Sequence, residues 1–236
     1  MGSCSSSGKG GGGGNAKAVS TSNLLIDTAL DNVTREQVTR VLQDFKREFG
    51  ISYNNTRIAE MDANSAGVLA FYDGAGIAIN NNFLNSQKMD DAYKKCVDSG
   101  YHPSSGKKSG MEAVVAHELG HSLNHVVGAK MNLSLDASAT RIVKEAKANT
   151  KHKNMASLMA KISGYAKESH AEAVAEAIAD VYCNGGRART ESKAIVNVMK
   201  SYLPKTSGKS ILSTGRTAAT KTATKTAKKN DKSVIR

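Results

Sequence analysis

Within residues 111–127, MEAVVAHELGHSLNHVV, two histidines and a glutamate sit in an otherwise apolar run. His117 and His121 are four residues apart, with Glu118 directly after the first. On a helix, residues at that spacing stand one above the other on the same face. Ala113, Val114, Val115, Ala116, Leu119 and Leu123 make the helix apolar on most sides, so it belongs in the interior. Two imidazoles and a carboxylate are costly to bury without partners. A metal ion satisfies all three. Histidines so spaced can bind one zinc ion, and the intervening Glu118 can reach a water on it. Zinc brings the pKa of such a water toward about 7 and polarises a carbonyl, so a peptide bond can be attacked at neutral pH.

A second stretch answers the first. Residues 165–180, YAKESHAEAVAEAIAD, place Glu172, Glu176 and Asp180 at i, i+4 and i+8 among Ala, Val and Ile. Like charges at that spacing destabilise an isolated helix by about 0.2–0.5 kcal/mol per pair. No Lys or Arg occurs between Ser169 and Asp180 to neutralise them. The stripe therefore calls for cationic partners, and His117, His121 and His125 form a matching one. The two helices are expected to pack with these stripes facing. Glu172 then completes the zinc site, and Glu176 and Asp180 accept from imidazole N–H groups. The residues leave other third ligands in play. A histidine ten residues after His117 is excluded, because that position is Val127. Glu176 competes with Glu172, since Glu176 to Asp180 has the ExxxD form of thermolysin-like enzymes. His102, in the polar loop 100–110, is a candidate on residue type alone.

HELGH followed by Tyr-x6-Glu-x3-Glu resembles the zincin domain of anthrax lethal factor and related bacterial and phage-encoded metallopeptidases. The likeness covers roughly residues 111–183. It implies that His117, His121 and Glu172 bind one zinc per chain, that Glu118 is the general base, and that Tyr165 lines the catalytic centre. The second glutamate of the pattern is Glu176. A phenol at that place can stabilise an oxyanion or protonate a leaving amine. This chain departs from the family in its alanine-rich second helix, where Ala173 follows the ligand.

The remaining segments predict a single α+β domain at 23–203, zincin-like, with a small mixed sheet. Residues 34–49 read as an amphipathic helix on Val38, Val41, Leu42, Phe45 and Phe49, with Thr34 and Gln37 as a capping box and Gly50 as its stop. Strands are expected at 56–60, 67–72 and 75–80, the last two joined by an Asp73-Gly74 hairpin. Strand 75–80 is expected at the sheet edge beside the metal, where an extended peptide substrate could add as another strand. Further helices are expected at 90–97, 135–149, 154–163 and 193–203. His152, among lysines, is expected to be exposed, and Cys183 buried.

Both ends differ from this middle. Residues 1–22 are Gly/Ser-rich and predict a flexible arm. Met1-Gly2 with Ser6 fits the loose N-myristoylation pattern and Cys4 could be palmitoylated, but small polar residues match that pattern often. Residues 204–236 hold nine Lys or Arg against one Asp, most of the net charge of +12. Such a tail is expected to be disordered and can bind nucleic acid through its phosphates by counterion release, without base stacking. No apolar run approaches a membrane span and no secretory h-region follows Met1, which suggests a cytoplasmic or virion-associated protein. Three cysteines far apart do not suggest a disulfide framework. The combined expectation is a phage- or mobile-element-encoded zinc endopeptidase acting on a protein or peptide. The alternative is a virion-associated structural or DNA-binding protein that keeps the zinc site without cutting.

Overall fold

The computed structural model describes residues 18–21, 24–27, 30–51, 57–61, 67–72, 74 and 76–204. Of the arm 1–22 expected to be flexible, Ala18–Thr21 instead form a strand, so the sheet begins before the expected domain start at 23, while the basic end beyond Pro204 lies outside the described residues. The fold is α+β and mostly helical. Strands β1 (Ala18–Thr21), β2 (Leu24–Asp27), β3 (Arg57–Met61), β4 (Ala70–Tyr72) and β5 (Gly76–Asn80) form one mixed sheet in the order β1-β2-β3-β5-β4. β3 runs parallel to both β2 and β5, and β4 returns antiparallel to β5 with Phe71 opposite Ala78. Gly74, between β4 and β5, has φ +90°, which glycine adopts without steric cost.

The sheet order corrects one expectation. β5 lies between β3 and β4 and is buried along its whole length, so it is not an edge. β4 takes that place, and it is β4 that packs against the long central helix.

Among the described residues there are seven α-helices, in chain order α1 (Asn32–Phe49), α2 (Ser86–Asp98), α3 (Gly110–Met131), α4 (Leu135–Ala148), α5 (Met155–Met159), α6 (His170–Asn184) and α7 (Thr190–Ser201). α1 begins earlier than the sequence suggests. Asp31 is its cap, accepting from the Thr34 amide at 2.7 Å, while the Thr34 hydroxyl turns away to the Leu84 carbonyl at 3.0 Å. α5 is shorter than expected, because the chain leaves the helix after Met159 and so frees Ser163 for another bond.

α3 is the axis of the molecule. Nearly its whole circumference is buried, as its all-round apolar sequence requires. Ser109 and Glu112 close a reciprocal capping box at its start, each bond 3.0 Å. α6 lies along it at close range. A Cβ on Gly120 would stand 2.7 Å from the Ala175 Cα. Glycine on one helix and alanine on the other are what allow this approach, and the approach is what brings the two polar stripes together. α4 and α7 cover the far side of α6, and α1, α2 and β4 cover α3. Among the cysteines, Cys183 is a half-buried free thiol. No helix among the described residues is long and apolar enough to cross a membrane.

Candidate metal centre

His117 and His121 project from α3, and Glu172 from the first turn of α6. Ser169 caps that turn, its hydroxyl accepting from the Glu172 amide at 3.0 Å, so the backbone under the carboxylate is fixed. The three ligand atoms form a small triangle. His117 Nε2 and His121 Nε2 are 3.2 Å apart, and Glu172 Oε2 lies 3.1 Å from the first and 3.3 Å from the second. All three residues are buried, and Glu172 Oε2 has no hydrogen bond of proper geometry.

The tautomer of His117 follows from its other nitrogen. Nδ1 faces Glu176 Oε1 at 2.8 Å, and a carboxylate oxygen accepts, so Nδ1 carries the proton. Nε2 then offers a lone pair to the triangle. Electron-pair donors this close repel one another unless a cation or a proton lies among them. The donor set fits zinc, whose tetrahedral ligands at about 2.0–2.2 Å stand about 3.3–3.5 Å from one another. Two imidazoles and one carboxylate are also the protein ligands of a catalytic zinc site, with the fourth position left open. The described residues therefore hold a group that can bind a metal ion.

Glu176 stands outside the triangle. Its Oε1 accepts from His117 and also from His102 Nδ1 at 2.9 Å, and its Oε2 accepts from the Ser163 hydroxyl at 2.6 Å. Burial opposes its ionisation, but the charge and hydrogen bond of His102, with those of His117, bring its pKa down to about 2. Burial likewise pushes the Glu172 carboxyl up, and the two imidazoles more than reverse that, holding it far below the usual carboxylate range. Burial pulls His117 down, yet the carboxylates of Glu172 and Glu176 close beside its two nitrogens leave it well above 6.5.

Glu118 sits in different surroundings. Burial raises its pKa, and the nearby His117 and His121 only partly oppose this. Its Oε1 is buried with no partner. It borders a small cavity shared with Leu69, Tyr93, His102, Val114, His117 and Glu176, so the residue just ahead of edge strand β4 lies beside it. Tyr165 is buried in the 3-10 turn Tyr165–Lys167, its ring stacked on His117 with centroids 5.6 Å apart.

The structure thus brings together His117, His121, Glu172, Glu118, Glu176 and Tyr165. It separates others. His125 is exposed, so the histidine stripe ends at His121. Asp180 meets no imidazole; it accepts from Asn184 Nδ2 at 2.9 Å and the Arg189 amide at 3.0 Å, and so fixes the exit from α6. His102 joins the site as a partner of Glu176 and not as a ligand. His152 is half-buried and bonded to Glu191 at 2.7 Å, not exposed. Ser163 has no motif around it and could not have been found from the sequence. Comparison of the chain with protein-family models, with curated proteins and with solved structures finds no match.

Proposed function

We propose that this chain is a zinc-dependent endopeptidase with a zincin-like catalytic domain. The observation that carries this reading is the buried triangle of His117 Nε2, His121 Nε2 and Glu172 Oε2, with the buried Glu118 carboxylate, one oxygen of it unpartnered, beside it. Zinc held by His117, His121 and Glu172 would supply Lewis acidity, polarising the scissile carbonyl and activating water. Glu118, with its raised pKa, takes a proton from the attacking water and delivers it to the leaving amine. Tyr165, stacked on His117, donates its hydroxyl proton in a hydrogen bond to the developing oxyanion. An extended peptide adds alongside β4, the strand at that end of the sheet among the described residues, which Leu69 brings close to Glu118. The likeness of HELGH and Tyr-x6-Glu-x3-Glu to lethal factor-type metallopeptidases supports the same assignment.

The test joins metal content to cleavage. The purified full chain should carry about one zinc and cut members of a peptide library. Glu118→Gln should keep the zinc and lose about 10²–10⁴-fold in rate. No zinc after reconstitution would sink the proposal. A second reading draws on the nine basic residues of 204–236: a virion-associated DNA-binding protein that keeps the metal and cuts nothing. Bound zinc, salt-sensitive DNA binding and an inert peptide library would favour it.

A further inference from the structure

We propose that His102 is a positioning residue for the metal centre, holding Glu176 in the orientation from which that carboxylate fixes the His117 ring. The inference rests on the metal-site reading above and goes beyond it, since neither the HELGH motif nor the spacing to Glu172 involves residue 102.

The carboxylate of Glu176 is buried and has three donors on its two oxygens. His102 Nδ1 and His117 Nδ1 share Oε1, at 2.9 and 2.8 Å, and the Ser163 hydroxyl holds Oε2 at 2.6 Å. The last torsion of a glutamate is broad and roughly two-fold, so one donor alone would leave the group free to turn. Donors on opposite oxygens prevent this. With Glu176 fixed, the His117 ring cannot rotate about its own axis without breaking the Nδ1 bond. Its Nε2 therefore stays aimed at His121 and Glu172.

His102 is itself held rigidly. Its ring stacks on Tyr93, with centroids 5.3 Å apart and planes at 9°, and meets the Tyr165 ring edge-on at 5.4 Å. The backbone carries the same rigidity. The His102 amide bonds to the Cys96 carbonyl at the end of α2, at 3.3 Å. The amides of Gly164 and Tyr165 bond to the carbonyls of Gly100 and Tyr101 at 2.8 and 2.9 Å. The loop bearing His102, the turn bearing Tyr165 and the end of α2 thus form one connected frame around Glu176. His102 bonds to none of the three ligand atoms; besides its bond to Glu176 its ring meets the His117 ring edge-on at 6.1 Å, so the hydrogen bond and the ring packing must be tested apart.

Two substitutions separate the hydrogen bond from the packing. His102→Asn keeps an N–H donor close to the position of Nδ1 and removes most of the ring. His102→Phe keeps a ring against Tyr93 and Tyr165 and removes the donor. Zinc dissociation constants of the full chain, measured by competition with a chromophoric chelator, should rise about 10–100-fold in the Phe variant and stay within about threefold in the Asn variant. The visible spectrum of the cobalt-loaded protein should change in the Phe variant alone. Unchanged affinity and spectrum in the Phe variant would overturn the inference. So would an Asn variant that falls as far as Phe, because the role would then be packing. Should neither variant fold, imidazole resonances of the zinc-loaded parent decide the matter: a bonded Nδ1 proton is expected on both His102 and His117, and a His102 ring protonated only at Nε2 would refute it. A parent chain that takes up no zinc overturns the metal reading and this inference together, whereas a parent that binds and a Phe variant that binds equally overturns this inference alone.

Discussion

Glu118 and Glu176 border the same small cavity as His117, yet their surroundings drive their carboxyls in opposite directions. Glu118 is buried with one oxygen unpartnered, and burial raises it; burial opposes ionisation of Glu176 too, but His102 and His117 bring it down to about 2. One is poised to take a proton and the other to stay charged. In the metal-free protein this has a measurable sign. A carboxyl lowered on folding stabilises the fold above its ordinary value and loses that contribution as pH falls toward its folded pKa. The Glu176 contribution is therefore present above 4.5 and lost on the way down to about 2. Acid unfolding of the chelated chain, followed by circular dichroism, should be less steep over that window in Glu176→Gln, which has no charge to lose. The same residues set proton–metal competition. His117, raised well above 6.5, holds a proton that an incoming metal must displace. Zinc should accordingly bind more tightly at about pH 8 than at about pH 6. Glu172→Ala, which removes a ligand outright, should weaken binding by more than the roughly 10–100-fold of an outer-shell change.

The site depends on how closely two helices approach. α3 and α6 meet at Gly120 and Ala175, and only hydrogen at position 120 leaves room for the backbone opposite. The alanines of α6 suit this closeness: small side chains let the helix lie against α3 with Glu172 and Glu176 facing His117. Gly120→Ala should lower stability by about 1–3 kcal/mol through overpacking, less the helix propensity gained. It should also weaken zinc binding, since the helices must separate before the methyl fits. Thermal unfolding with and without zinc checks both effects. A variant as stable and as tight as the parent would show that the contact at Ala175 is soft. Caps anchor the same elements: Ser109 with Glu112 opens α3, and Ser169 opens α6 one turn below the Glu172 carboxylate. Strand order works at this scale too. β4 is the edge beside α3 because β5 pairs on both sides, which the hairpin signal alone could not reveal.

For the whole molecule, the candidate metal site ties α3 to α6, which carry His117, His121 and Glu172, and joins them to the loop at His102 and the turn at Ser163. A ligand that binds only the folded state stabilises it by mass action, about 2.7 kcal/mol at a hundred times its dissociation constant. Zinc should therefore raise the unfolding temperature of the chelated chain by several degrees, at about 2–4 °C per kcal/mol for a domain of this size. Zinc should not stabilise Glu172→Ala in this way. Much of this was legible in the chain itself. The helical spacing of His117 and His121, the acidic stripe answering it, the hairpin at Gly74 and the α+β class all follow from local periodicity, which a sequence carries directly. The third ligand was narrowed to Glu172 by its place in a motif pattern. What only the tertiary structure decided was which polar groups meet. His125 lies one turn beyond the face that α6 covers and is exposed. Asp180 lies one turn beyond Glu176 and bonds to the chain leaving the helix. His102 and Ser163, from loops with no periodicity, converge on Glu176. Stripes on two helices share a direction only over the length of their contact, and where that contact ends, and which loops close over it, depends on packing between residues far apart in the chain.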